Sequence, residues 1–549
     1  MDIQRASLID ASPSSGYVDV TLRDGKPEFA GLATASFGTR APGRVAGTAQ
    51  GIHARWHWDG TVLSAEVDPY GFYSLYYCVE GNRVRVSPSV LQLAALGCDL
   101  TKDHRALTVF HRLGFFINDD TPFKNIKVLP AGGKLTWRSG KVTVEARERK
   151  YKELDITRSQ AIDGYIDLFR QSISRTLKAW DGPIVSPLSG GRDSRHIMVE
   201  LAHQGRKPDA CITFQHGGDA WNAEVKAARA ICEAVGVRHD VLGHVRSRQA
   251  DILRAIVKTE LCADEHAQMI PLHDYYLDRP AAAYDGIGGD VLSGDVLSRG
   301  DETDRMAVGW ARAGDFRRIA KHMIDGHGRV ISATADPRGA ADLYSPGADE
   351  EALDYVAEAI AKHADAPNPI QVFFIMNRTR REISFVARGV LSSAGAVFSP
   401  YIDEDLADFC FSLPWEVSNM REKTFHDEVT DRAYPEFAHV PFENGFTSDP
   451  TPRTPLRHKL KSVVDMARVA RFMATDTSPI EEFSILLGLG RPLGQGFNET
   501  MHIHDRLVDG LSPTRARDLL AFADALQQHR PRHLVSDSYM PPVSGTARD

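Results

Sequence analysis

From Gly16 to about residue 147, apolar residues fall in short alternating runs separated by turn formers, the pattern of half-buried strands. The runs at 16–22, 62–67, 72–79 and 83–86 show it, with a turn at Gly81-Asn82 between the last two. Two helical stretches, near 90–96 and 104–113, interrupt the series. Many strands with few helices predict a layered α+β unit over residues 1–150. The charged run 145–153 then reads as a linker into a second domain.

Past Ser159 the period changes. An amphipathic helix over 159–179 precedes the apolar run Pro183-Ile-Val-Ser-Pro-Leu188 and a glycine turn. A helical pattern, the run 210–214, a helix over 221–235 and the run 239–242 follow. Strand and helix in alternation predict parallel strands joined by crossovers. Residues 305–425 read as mostly helical, with loops near 334–348 and 363–369. The second domain is placed at 155–535, and residues 536–549 read as a disordered tail.

Length and composition agree with this division. The 549 residues amount to roughly three to four typical domains' worth of chain, and 42% hydrophobic with 25% charged residues is ordinary for a globular protein with sizeable cores. A formal charge of -8 argues against general attraction to nucleic acid or to an anionic membrane. Cys78, Cys98, Cys211, Cys232, Cys262 and Cys410 form no CxxC pair, so they read as buried free thiols in a reducing cytoplasm. Neither an apolar leader nor eighteen uninterrupted apolar residues occurs, and a cytoplasmic location is expected.

Chemistry concentrates in Pro187-Leu-Ser-Gly-Gly-Arg-Asp-Ser194, between a buried strand and a helix. Gly190 and Gly191 let the backbone turn sharply and approach a ligand. The turn's N–H groups, the Ser189 and Ser194 hydroxyls and the next helix's N-terminus favour an anion. Asp193 would repel that anion unless a magnesium ion lies between them. The same letters also describe a plain capped strand–turn–helix. A second glycine loop, Asp285-Gly-Ile-Gly-Gly-Asp290, follows another short apolar run and offers Asp290 as a further metal ligand.

Ser-Gly-Gly-x-Asp-Ser after a strand resembles the pyrophosphate loop of the asparagine synthetase superfamily, which includes β-lactam synthetases and lasso-peptide cyclases. The likeness extends to Asp68-Pro-Tyr-Gly-Phe-Tyr-Ser-Leu-Tyr-Tyr77, Leu113-Gly-Phe, Thr121-Pro-Phe through Val128-Leu-Pro130, Gly132-Gly133, Tyr284–Asp290 and Phe398-Ser-Pro-Tyr-Ile-Asp403. It covers about residues 15–447. It implies an N-terminal Ntn-amidotransferase-like sandwich followed by an α/β adenine-nucleotide α-hydrolase-like (PP-loop) synthetase domain with helical additions. It also implies ATP and Mg2+, with Asp193 and Asp290 on the metal. Pro187, Leu188, Ser189, Gly190, Gly191, Arg192, Asp193, Ser194, Phe214, Asp285 and Gly286 are then expected around the nucleotide, although Phe214 equally suits the core. Homodimerisation is left open.

The chain departs from the family in three places. Asp2 follows Met1, so the terminal cysteine of glutamine-dependent members is missing and no glutaminase activity is expected. Ile287 stands between the glycines of the second loop, where relatives carry a glutamate, a tyrosine or a histidine. Glu443, in Val440-Pro-Phe-Glu-Asn-Gly-Phe446, stands where a charge-stabilising lysine is expected. Lys423 is the first candidate to replace that lysine, ahead of Arg421 and the Arg378/Arg380/Arg381 cluster. Glu382 is a candidate general base, with His216 and His266 as lesser ones.

The expected activity is ATP-dependent amide or lactam formation through an acyl-adenylate, with AMP and pyrophosphate released. The acid and amine would belong to a small metabolite or a peptide, a lasso-type macrolactam cyclase being one version. An ATP-binding scaffold without turnover is the alternative of another class, suggested by Ile287 and Glu443.

Overall fold

The computed structural model describes residues 16–45, 48–215, 221–243, 246–263, 266–293, 301–327, 346–418, 423–450, 456–475, 477–487, 499–527 and 534–542. Met1, Asp2, His216 and Arg421 lie outside these residues.

Among the described residues, ten strands form the two main sheets of the N-terminal domain: β1 (Val18–Arg23), β2 (Lys26–Gly31), β3 (Thr34–Gly38), β4 (His53–Trp58), β5 (Val62–Val67), β6 (Tyr76–Glu80), β7 (Arg83–Ser87), β8 (Ile126–Val128), β9 (Lys134–Arg138) and β10 (Lys141–Glu145). They form two five-stranded antiparallel sheets, β8-β6-β7-β1-β2 and β10-β9-β5-β4-β3. Alternation decides the faces: Ala54, Trp56, Leu63 and Ala65 point inward while Arg55 and His57 stay exposed. The inward residues meet Val18, Val20, Val84 and Val86 of the other sheet in one core. Helices α1 (Val90–Ala95) and α2 (His104–Leu113) bury apolar faces beside Tyr76, Cys78, Ile126 and Val128.

The motif at Asp68 proves to be a joint. Its buried carboxylate accepts the N–H groups of Tyr70 (3.1 Å), Phe72 (3.0 Å) and Tyr73 (2.7 Å), closing a tight turn. Gly71 there has φ +68°, and a Cβ on it would meet Arg380 Nε at 2.9 Å. Arg380 reaches Leu129 O and Asp119, and Arg381 reaches Asn118 O (2.8 Å) and Asp120 O. Both arginines are buried, so the second domain grips the first with two desolvated guanidiniums.

Helix α3 (Arg158–Ala179), started by a Thr157/Gln160 capping box, opens the second domain. Strands β11 (Val185–Pro187), β12 (Ala210–Phe214) and β13 (His239–Leu242) pair in parallel. Crossover helices α4 (Asp193–His203) and α5 (Ala223–Val235) join them. On the other side β14 (Ala282–Tyr284) pairs in parallel with β15 (Ala396–Phe398), and a parallel bridge, Ile184↔Ala282, links this pair to β11. The order is therefore β15-β14-β11-β12-β13. Mostly helical chain follows, with π-helical segments at Ile375–Ile383 and Val386–Val390. Among the described residues no helix is long and apolar enough to cross a membrane. All six cysteines are buried free thiols.

The expected tail is corrected at its start. Residues Val535–Tyr539 form β16, antiparallel to β13 at the sheet edge. Its polar alternation, Val-Ser-Asp-Ser-Tyr, hid an edge strand whose hydrogen bonds and ion pairs hold it: Ser538 reaches Asp240 Oδ1 at 2.6 Å and Arg229 reaches Asp537 at 2.7 Å. Residues 543–549 lie outside the description.

Helix α6 (Arg248–Lys258) leads to Glu260, whose carboxylate accepts from Ser89 Oγ (2.6 Å) and Leu91 N (3.4 Å) across the domain boundary. Burial pushes this carboxyl up to about 7, against the opposing pull of Ser89 and Arg388. A folded-state pKa above the unfolded 4.5 contributes stability below pH 4.5 that is lost as pH rises through 7. Glu260→Gln keeps both acceptor bonds without the charge. Wild type is expected to lose on the order of 3 kcal/mol across that window relative to the variant in pH-dependent denaturation. Parallel pH profiles would refute this.

Candidate functional site

Strand order reverses between β11, whose crossover runs to β12, and β14 on its other side, so a crevice opens beyond their carboxyl ends. Both glycine loops leave strands at this point, the first from β11 and the second from β14. A cleft of about 340 Å3 lies there, bordered by Leu188, Ser189, Asp193 and Ser194 on one side and by Asp285, Gly286, Ile287 and Asp290 on the other.

The first loop is folded on its own hydroxyls. Ser189 N–H donates to Ser194 Oγ at 2.9 Å, the two serine oxygens lie 2.9 Å apart, and Gly191 N–H donates to Ser189 Oγ at 3.2 Å. Gly190 is pressed from outside: a Cβ there would lie 2.8 Å from Glu443 Cβ and 3.0 Å from Glu224 Cα, and Glu443 N–H donates to Gly190 O at 3.1 Å. Arg195 fixes this outer segment by donating to Val440 O and Pro441 O, each at 2.8 Å, with its guanidinium 4.0 Å from the Phe442 ring. Of the expected loop residues, Gly190, Gly191 and Arg192 do not line the cleft. Arg192 turns away to a bidentate pair with Asp427 (2.5 and 2.9 Å).

Backbone packing joins the two loops. A Cβ on Gly286 would lie 3.0 Å from Asp193 Cβ, and one on Gly289 2.6 Å from Asp193 Oδ1. Glycine is what permits this approach. Gly289→Ala is therefore expected to push the Asp193 carboxylate aside and to lower stability by roughly 1–3 kcal/mol in thermal denaturation. Unchanged stability would show that the two loops accommodate a methyl group there.

His426 Nδ1 lies 3.2 Å from Asp193 Oδ1 without hydrogen-bond geometry, and Tyr401 O–H donates to the Asp193 backbone O at 3.1 Å. Burial, then the Asp193 charge, pushes Asp285 up to about 7, and its Oδ2 is buried with no hydrogen-bond partner. Among the described residues no three His, Cys, Asp or Glu side chains converge as a ready-made metal cage. Asp193 and Asp290 both line the cleft, and carboxylate oxygens are the hard donors that a magnesium ion takes.

The remaining walls are apolar toward β12 and mixed opposite it. Leu188, Ile212, Phe214, Met269 and Leu272 form the apolar wall, with Phe214 half-buried there. The π-helical segment contributes Arg378, Thr379 and Ile383, a helix type that recurs at functional sites. Arg378 is the one arginine or lysine among the described residues lining the cleft. His266 lines it too, with φ +79° and Nε2 3.1 Å from Glu382 O.

Two expected catalytic residues lie elsewhere. Lys423 is exposed in the bend before helix Phe425–Ala433, ion-paired to Asp431 of that helix, and it does not line the cleft. Glu382 is buried beside Arg378 (3.3 Å) and does not line the cleft either. Ile287 is buried in the main core. Tyr401 and His426, which lie against Asp193, carried no chemical signal of their own in the sequence, although Tyr401 lies within a motif singled out there. Asp403 of that motif caps helix Glu404–Phe411 and pairs with Arg175.

No family model matches the chain, and no curated protein matches it. Among solved structures, glutamine phosphoribosylpyrophosphate (PRPP) amidotransferase from B. subtilis, complexed with ADP and GMP, aligns at 9% identity with a TM-score of 0.14. The match covers 37% of this chain and 50% of that one, so the chain spans about half its length. At that score the likeness assigns neither fold nor activity.

Proposed function

We propose that this chain is an ATP-consuming, amide-forming enzyme that activates a carboxylate as its adenylate. The observation that supports the reading best is the packing of Asp193 against Gly286 and Gly289, which unites two anion-suited loops at one switch point. In this reading residues 1–150 are an Ntn-type sandwich, and the second domain is a PP-loop synthetase working in the cytoplasm.

Adenine would lie between Leu188, Ile212 and Phe214, and the phosphates would meet the Ser189–Ser194 loop. Asp193 and Asp290 would hold a magnesium ion, which neutralises phosphate charge. A substrate carboxylate oxygen attacks the α-phosphorus and pyrophosphate leaves. An amine nitrogen then attacks the acyl carbon, AMP leaves, and the amine gives up its proton. Arg378, at the cleft wall, supplies the positive charge first sought from Lys423. Holding both reactants in one cleft supplies much of the acceleration. The substrate is a small metabolite or a peptide, a lasso-type macrolactam closure being the peptide version.

Products test the reading. ATP labelled at the α-phosphate should yield labelled AMP once acid and amine are both supplied, and glutamine should yield no glutamate. ADP as the product would overturn it. A second reading, an ATP-binding protein without turnover, is favoured by Glu443 packed on Gly190, a carboxylate beside an anion loop. It expects nucleotide binding with no AMP under any substrate.

A further inference from the structure

Beneath the first loop runs an unbroken chain of polar contacts to the far edge of the sheet. Arg229 Nη2 donates to Asp537 Oδ2 on β16 at 2.7 Å. Arg229 Nε lies 2.9 Å from His239 Nδ1 on β13, and His239 Nε2 lies 2.9 Å from Thr213 Oγ1 on β12. Thr213 Oγ1 reaches Leu188 O at 2.6 Å. His239 and Thr213 are both buried.

Donor logic fixes every proton in this chain. A guanidinium N–H only donates, so His239 Nδ1 must accept and Nε2 must carry the imidazole proton. Nε2–H then donates to Thr213 Oγ1, which leaves the hydroxyl proton to donate to Leu188 O. Burial and the Arg229 charge hold the imidazole down near 3, so it keeps a single proton at neutral pH. Leu188 C=O and Ser189 N–H belong to one planar peptide unit, so orienting the carbonyl orients the N–H. That N–H is the one that donates to Ser194 Oγ and shapes the loop.

We propose that β16 is a positioning element of the anion loop: Asp537, through Arg229, His239 and Thr213, sets the Leu188–Ser189 peptide and hence the groups that meet an anion. Arg229 lies 4.8 Å from the Trp221 ring and 5.3 Å from the Tyr539 ring, which restricts its guanidinium to this geometry. The link to ATP rests on the function proposed above; the positioning of the loop does not.

Hydrogen–deuterium exchange of the full-length chain, without nucleotide, tests it. Thr213→Val and Asp537→Ala are expected to accelerate amide exchange over Ser189–Asp193 on the order of tenfold, while Thr213→Ser stays near wild type. ATP affinity should fall in the same two variants on the order of tenfold. Unchanged loop exchange in Thr213→Val overturns the proposal. Acceleration in Asp537→Ala that spreads equally over β13 overturns the link to Asp537, because β16 is then only a lid on the sheet. A wild-type chain that binds no ATP counts against the proposed function and leaves the exchange result to stand by itself.

Discussion

Asp193→Ala is expected to reduce AMP release from ATP by at least about a thousandfold while leaving the fold intact. The side chain is a quarter exposed, and its contacts are with His426 and two glycines, so truncation opens no large cavity. Stability should change by roughly 1 kcal/mol or less in thermal denaturation. The loss of turnover follows from position: among the loop residues lining the cleft, this is the carboxylate at the N-terminus of α4, where a phosphate is otherwise favoured. A cation between them makes that arrangement consistent. Retained turnover in this variant would remove the first loop from the reaction.

Arg378→Met carries the next largest expectation. Loss of the one guanidinium that the described residues bring to the cleft wall should lower the rate of AMP formation by about a hundredfold or more. It also removes the cation 3.3 Å from buried Glu382, a loss of roughly 3–5 kcal/mol for such a pair. Combining it with Glu382→Gln separates the two effects: stability should return, and turnover should not. Arg378→Lys should recover part of the rate, since it keeps the charge without the planar fork. If the double variant regains full activity, Arg378 is a structural partner of Glu382 and nothing more.

Much of this fold was legible in periodicity. The alternation at 62–67 and the turn at Gly81-Asn82 announced strands that the structure pairs as antiparallel hairpins. The apolar runs at 183–188 and 210–214, each followed by a helix, gave the parallel strands. The edge strand β16 was not legible, because Ser536, Asp537 and Ser538 match no apolar alternation. Their partners, Asp240 and Arg229, are hundreds of residues away in sequence. The helical additions at 456–475, 477–487 and 499–527, which pack on α1 and α6, were likewise silent about their docking face.

The site was legible where backbone geometry demands glycine. Gly190 and Gly289 lie against neighbouring segments at distances a methyl group cannot share, and Gly286 at one that leaves it little room. Side-chain roles were harder to read. Arg378, Arg380 and Arg381 are neighbours in sequence, yet a helix separates their fates: two clamp the N-terminal domain and one faces the cleft. Lys423 and Glu382 were chosen by sequence position, and only burial and pairing place them away from the cleft wall.

ATP–pyrophosphate exchange, measured against pooled carboxylic acids and peptides, tests the central claim most directly. The expected result is exchange that requires one of the acids and vanishes in Asp193→Ala. Exchange that persists in Asp193→Ala, or ATP cleavage that releases phosphate and ADP instead, would contradict it.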